Sequence, residues 1–185
     1  MIDIELANKE FSESMIIELQ KAAEYSKSIK FKKVALDFKN NKILDSQIEN
    51  LENVIYIIKV KDDCNVKAET ICTAINGFKG NGIVHIKFPK VNNCAENSEN
   101  KILYIGKSKG KIKGRFVSHL TNNSPSVYGL HLEYWKNNPI LNELELDLYY
   151  AQIDLKPEDN DYDILELLET SLHKKYKPIL GRSGH

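Results

Sequence analysis

Only two of the chain's 26 basic side chains are arginines, Arg115 and Arg182, and Arg115 stands four residues ahead of His119. Residues four apart share a face of a helix. Ile112, Phe116 and Leu120 form the apolar stripe of a helix expected over 112–121, so Arg115 and His119 flank that stripe on one side. A guanidinium there can grip two phosphate oxygens at once and cannot lose its charge. An imidazole beside it can donate to a phosphate or carry a proton. The plainer reading is an Arg and a His packing their stems at a helix edge.

A second helix is expected over 162–177, ended by Pro178. Leu165, Leu168, Leu172 and Tyr176 make its apolar arc, and Glu169 falls at the edge of that arc while Asp163 and Glu166 look outward. A carboxylate pressed toward a core must find a partner or a metal. A lone carboxylate suits Mg²⁺, which takes few protein ligands and keeps several waters; a lysine at the helix margin is the bland alternative. Tyr56 and Tyr104 lie inside strands, where tyrosines are ordinarily structural.

Charge is distributed in blocks. Residues 100–132 hold six bases and no acid: Lys101, Lys107, Lys109, Lys111, Lys113 and Arg115. Residues 143–169 hold ten acids against Lys156 alone. The totals of 26 bases and 26 acids cancel, with a pI near 7.0, which excludes a protein that coats nucleic acid by charge alone. The Gly-spaced run KGKIKG has the composition of a loop that meets phosphates, or of a solvated surface loop.

The elements that must position these groups are read from periodicity. At 185 residues, 42% of them apolar, the chain is about one domain with a sizeable core. Residues 9–28 predict an amphipathic helix on Phe11, Met15, Ile16, Leu19, Ala22 and Ala23. Strands are expected at Lys33–Phe38, 53–60, 83–91, 101–108 and 143–153, the third limited by Pro89. Helices are expected from Asp45 to Leu51, over 66–77 ending near the Gly80–Asn81–Gly82 turn, and over 126–137 on Tyr128, Leu132 and Trp135. Residues 92–100 and 157–163 read as polar loops. The fold class is α+β, a small, largely antiparallel sheet flanked by helices. No run of eighteen apolar residues suggests a membrane span, and the acidic start MIDIELANKEF lacks a signal's apolar region. A soluble, cytoplasmic protein is expected. Cys64, Cys72 and Cys94 lack zinc-knuckle or redox spacing, so no zinc is expected and the three thiols read as reduced.

Taken together, these residues resemble the GIY-YIG nuclease family. VIY at 54–56 stands for the first motif and YIG at 104–106 matches the second, followed by Lys107, Arg115, His119 and then LETSLHKKYKP at 168–178. The similarity covers about residues 53–182. It implies a GIY-YIG-like domain over 53–185 with an insertion at 61–100, and an N-terminal helical extension over 1–52. The resemblance implies a DNA endonuclease with one Mg²⁺ (or Mn²⁺) ion per site, held by Glu169 as the single protein ligand. Tyr56 would be the general base or the orienter of the attacking water, and Tyr104 would bond to the phosphate region or the water. Lys107 and Arg115 would neutralise the scissile phosphate, and His119 would assist proton movement. Lys109, Lys111 and Lys113 extend the phosphate-binding surface, and the lysine and arginine cations would lower the Tyr56 pKa. Symmetric double-strand cutting would need a homodimer or two binding events.

Three positions depart from the family pattern. Val54 replaces the first motif's leading glycine. Residues 61–100 intervene between strands normally joined by a short hairpin, which leaves open whether Tyr56 and Tyr104 lie side by side. Gly181 stands where the family usually has asparagine. These departures motivate an alternative, a catalytically dormant nucleic-acid-binding module. A third reading is a protein-interaction domain using the acidic block and the N-terminal helix.

Overall fold

The computed structural model describes residues 2–40, 42–43, 46–80, 86–92, 99–121, 123, 125–156 and 164–183. It is an α+β fold on one antiparallel sheet of five strands. The strands are β1 (Lys32–Asp37), β2 (Lys42–Ile43), β3 (Val54–Val60), β4 (Ile102–Ser108) and β5 (Leu146–Gln152), ordered β2-β1-β5-β3-β4. The helices are α1 (Ile4–Ser28), α2 (Ala68–Gly80), α3 (Lys113–Leu120), α4 (Leu132–Trp135) and α5 (Ile164–Tyr176). No helix among the described residues is long and apolar enough to cross a membrane.

Side chains alternate across a strand, and β3 uses both faces. Val54, Tyr56, Ile58 and Val60 enter the larger core with Ile71 and Ile75 of α2, Phe116 and Leu120 of α3, and Trp135 of α4. Ile55 enters a smaller core with Ala22 of α1 and Leu165 and Leu168 of α5. Helices therefore cover both faces, and that explains why 53–60 reads as a continuous apolar run. Strand β4 is the outer strand, so α3 and α5 can approach the same edge from opposite faces.

The N-terminal segment, expected to be a helical extension, also supplies two strands: β1 pairs with β5 from Lys32↔Tyr150 to Leu36↔Leu146. Helix α1 begins earlier than its periodicity suggests, with the Asp3 carboxylate accepting from the Leu6 amide at 3.0 Å. Its expected apolar face is only partly used. Ala22 is buried, whereas Phe11, Ile16 and Leu19 are exposed.

Four other expectations need correction. The segment 86–90 is irregular rather than strand; its Lys87 amide bonds to the Pro125 carbonyl and its Lys87 carbonyl accepts from Gly129. Residues 83–85 lie outside the described residues. The helix expected over 126–137 shrinks to α4, because His131 takes a left-handed φ of 49° and Gly129 passes against the Ser118 backbone. The turn at Ser46–Asn50 is 3-10 rather than α-helical, with Asp45 outside the described residues. Cys72 is disulfide-bonded, while Cys64 keeps a free thiol and Cys94 lies outside the described residues. Also outside them are Asn81–Gly82 of the expected turn, Asp163 and the polar loop at 157–163.

Helix α5 ends as its sequence suggests. Pro178 cannot continue it, and Lys177 turns left-handed at φ 44° while its amide bonds back to the His173 carbonyl. Along α5, Leu165, Leu168 and Glu169 face inward, but Tyr176 is 40% exposed.

Candidate active site

The insertion does not separate the two tyrosines. Strands β3 and β4 pair with Tyr56 opposite Gly106 and Ile58 opposite Tyr104, so the tyrosines become diagonal neighbours on one face. Their rings stack with centroids 6.2 Å apart and planes 26° from parallel. Gly106 makes this possible. A β-carbon at that position would lie 2.5 Å from Cζ and Oη of Tyr56 and 2.9 Å from Tyr104 Cε1. Val54, by contrast, carries its side chain into the larger core.

Helix α3 brings the other two groups. Ile112, Phe116 and Leu120 are buried as its stripe, which turns Arg115 and His119 toward the tyrosines. Arg115 donates from Nε to Tyr56 Oη at 3.4 Å and from Nη2 to Tyr104 Oη at 3.3 Å. His119 is fully buried; its Nδ1 accepts from the Leu130 amide at 3.1 Å and its Nε2 lies 2.8 Å from Tyr56 Oη. A neutral imidazole that accepts at Nδ1 carries its proton on Nε2. His119 therefore donates to Tyr56, and the Tyr56 oxygen accepts from two groups at once.

Burial sets the protonation states. Burial first, then the Arg115 charge, holds the His119 pKa well below the usual imidazole range, so the ring is neutral. Burial and the neighbouring Tyr104 push the Tyr56 hydroxyl above the ordinary phenol range, outweighing Arg115. The expected lowering by cations is thus reversed in the resting site. Lys107 is no help there, because its ammonium pairs with Glu166 at 3.0 Å. Burial likewise raises Tyr104 despite Arg115. Arg115 itself is held above its usual value, chiefly by Tyr56, and keeps its charge.

Tyr104 and Arg115 of this network border a cleft of about 860 Å³ along the outer edge of β4. Tyr104, Lys107, Lys109, Arg115, Glu166 and Glu169 line it, with Lys79, Phe88, Pro89 and Lys90 of the insertion forming another wall. Tyr56 does not line it and is fully buried behind Tyr104 and Arg115. Glu169 is 8% exposed at the cleft wall. Glu166 departs from its expected outward pose by reaching Lys107. Lys111 and Lys113 stay outside the cleft; both are exposed, and Lys113 pairs with Glu49 at 2.9 Å. The glycine-spaced loop is pinned rather than loose, since Lys109 and Ile112 bond through their backbones to Asn53 and Leu51.

Among the described residues, no group of three or more His, Cys, Asp or Glu side chains is placed to hold a metal ion. A divalent cation in the cleft would rest on Glu169, with Glu166 beside it, and on water. Mg²⁺ accepts such sparse protein ligation, so the donor set fits that ion.

Sequence reasoning assigned no site role to Arg182, Gly181 or Asn92. Arg182 and Gly181 line the same cleft, and Gly181 adopts φ +94°. An asparagine there would need a β-carbon 2.9 Å from Tyr104 Cε2. The scarcity of arginine was the one available signal for Arg182.

Two buried histidines, His119 and His173, predict a pH dependence. His173, like His119, is held below the usual range by burial, while its Nε2–H donates to the Ile105 carbonyl at 3.2 Å. The folded chain then binds fewer protons than the unfolded one below pH ~6.5, so stability is full above that pH and falls as pH drops through it. Thermal melts from pH 8 to 5 should show a flat Tm above 7 and a decline below 6.5. His119→Gln should flatten the decline; a Tm that climbs on acidification would contradict neutral, buried histidines.

No family model matches this chain, and no curated protein or solved structure matches it significantly.

Proposed function

We propose that the protein is a metal-dependent endonuclease of the GIY-YIG type, hydrolysing DNA phosphodiester bonds by in-line attack of water. The observation that supports this most is one hydrogen-bonded network, Tyr56, Tyr104, Arg115 and His119, opening onto a lysine-rich cleft whose wall carries the buried carboxylate of Glu169.

Arg115 would turn its planar fork to two oxygens of the scissile phosphate and neutralise charge as it builds. The Tyr104 hydroxyl, at the cleft wall, would bond to that phosphate or to the attacking water. As Arg115 moves onto the phosphate, it would uncover the Tyr56 hydroxyl, which stays protonated and orients the attacking water. His119 supports this by donating to the Tyr56 oxygen, which leaves the Tyr56 O–H free to donate to the water. Lys107 would leave Glu166 for the phosphate when DNA enters. A divalent ion at Glu169, Mg²⁺ or Mn²⁺, would polarise the phosphate and stabilise the leaving oxygen.

Arg115→Lys tests the central contact, because it keeps the charge and loses the fork. Cleavage of supercoiled plasmid should slow about tenfold, in the range of one lost charge-assisted hydrogen bond, with DNA affinity nearly intact. An unchanged rate would remove Arg115 from the chemistry.

The dormant binding module is the second reading. It draws on Tyr56, which is fully buried and absent from the cleft wall. It requires binding that weakens steeply with salt and no product at any Mg²⁺ or Mn²⁺ concentration.

A further inference from the structure

The chain's two arginines stand 67 positions apart in sequence, yet both line the cleft beside β4. Arg115 has its role in the network above. Arg182 is delivered by a separate, built device. Gly181, just before it, takes φ +94°, a conformation that side chains rarely adopt, and sits against the Tyr104 ring. Both of its peptide groups are fastened by the inserted segment. The Gly181 amide donates to the Lys90 carbonyl at 2.8 Å, and the Gly181 carbonyl accepts from Asn92 Nδ2 at 2.8 Å. The same Asn92 Nδ2 donates to the Pro178 carbonyl at 2.8 Å, and the Asn92 amide donates to the Ile179 carbonyl at 3.0 Å. Val91 and Leu180 add a β-bridge. Four consecutive residues, 178–181, are thus held in place immediately before a single arginine.

The Tyr104 hydroxyl accepts from Arg115, and its ring stands where a side chain on Gly181 would go, Cε2 lying 2.9 Å from the β-carbon that residue lacks, so Tyr104 lies between the two arginine-bearing segments. We propose that Arg182 binds a second backbone phosphate of the same DNA strand, flanking the phosphate held by Arg115, and that Asn92 is the positioning residue that aims it. The proposal rests on the nucleic-acid reading of this cleft. A fork-shaped cation suits bidentate capture of a phosphodiester, and a phosphate contact fixes the register of a strand without reading its bases. The insertion thereby gains a structural role. It supplies the clamp that orders the C-terminal end of the cleft, at the position where the resemblance leads one to expect an asparagine.

The test is fluorescence anisotropy with a labelled 20-base-pair DNA duplex in EDTA, which separates binding from cleavage, run across a salt series. Arg182→Ala should weaken binding about tenfold and reduce the slope of log K against log salt by about 1. Arg182→Lys should restore the slope but only part of the affinity. Asn92→Ala, which removes no charge, should weaken binding several-fold, whereas Lys9→Ala on exposed α1 should leave it unchanged. Wild-type affinity and slope in Arg182→Ala would overturn the assignment while leaving the DNA reading standing. Wild-type affinity in Asn92→Ala would overturn the positioning role alone. No binding by the wild-type chain would remove the nucleic-acid reading itself, and this site with it.

Discussion

Glu169→Gln should cut Mg²⁺-dependent DNA cleavage at least about 100-fold, the scale on which a single preorganised electrostatic contact acts in a transition state. The substitution is nearly isosteric, and the helix that carries it keeps Leu165 and Leu168 in their core. The fold should therefore survive, with a Tm close to wild type. DNA affinity should hold or rise slightly, because a negative charge leaves a cleft bordered by Lys79, Lys90, Lys107, Lys109 and Arg115. Loss of rate without loss of binding is the pattern of a group used in the transition state. Cleavage near the wild-type rate would exclude Glu169 as the metal ligand.

Gly106→Ala should disturb fold and site together. The new methyl would sit 2.5 Å from Tyr56 Cζ and Oη, and the ring has nowhere to go. It is fully buried, stacked on Tyr104, set edge-on to Phe116 and tied to His119. Overpacking of this kind costs about 1–3 kcal/mol, a fall of several degrees in Tm for a chain of this size. Any cleavage should drop at least tenfold, since moving Tyr56 also breaks its bonds with Arg115 and His119. Tyr56→Phe removes one of the three clashing atoms, so the double variant should be more stable than the sum of the single losses implies. Additive losses would show that Gly106 is required for some other reason.

Much of this was legible from spacing alone. The period-2 pattern of 143–153 marked β5, the apolar runs marked β3 and β4, and three- and four-residue steps placed Arg115 with His119 and turned Glu169 inward. Local periodicity decides those features, and burial acts on them directly. It failed where backbone is satisfied irregularly. IVHIKFPKV has strand-forming residues, but Lys87 bonds to the 125–129 loop and the segment pairs only through one bridge, Val91 with Leu180. Tyr128, Leu132 and Trp135 have helical spacing, yet Gly129 must pass close to Ser118 and His131 turns left-handed, its ring nitrogens 3.3 and 3.1 Å from the Thr121 and Val127 carbonyls. The stripe on α1 overstated burial because that helix packs against α5 only over part of its length. Contacts such as Asn92 with Gly181, 89 positions apart, carry no signal in spacing at all. The direction of the Tyr56 shift was also beyond reach, since it depends on the balance of burial against one guanidinium.

Nuclease activity itself is tested by incubating supercoiled plasmid with the purified full chain in Mg²⁺, in Mn²⁺ and in EDTA, read on an agarose gel. Nicked or linear DNA should appear with either metal, and the plasmid should stay intact in EDTA. Intact plasmid at every metal concentration, from protein that melts cooperatively and still shifts DNA in a gel, would contradict a nuclease and leave a binding module.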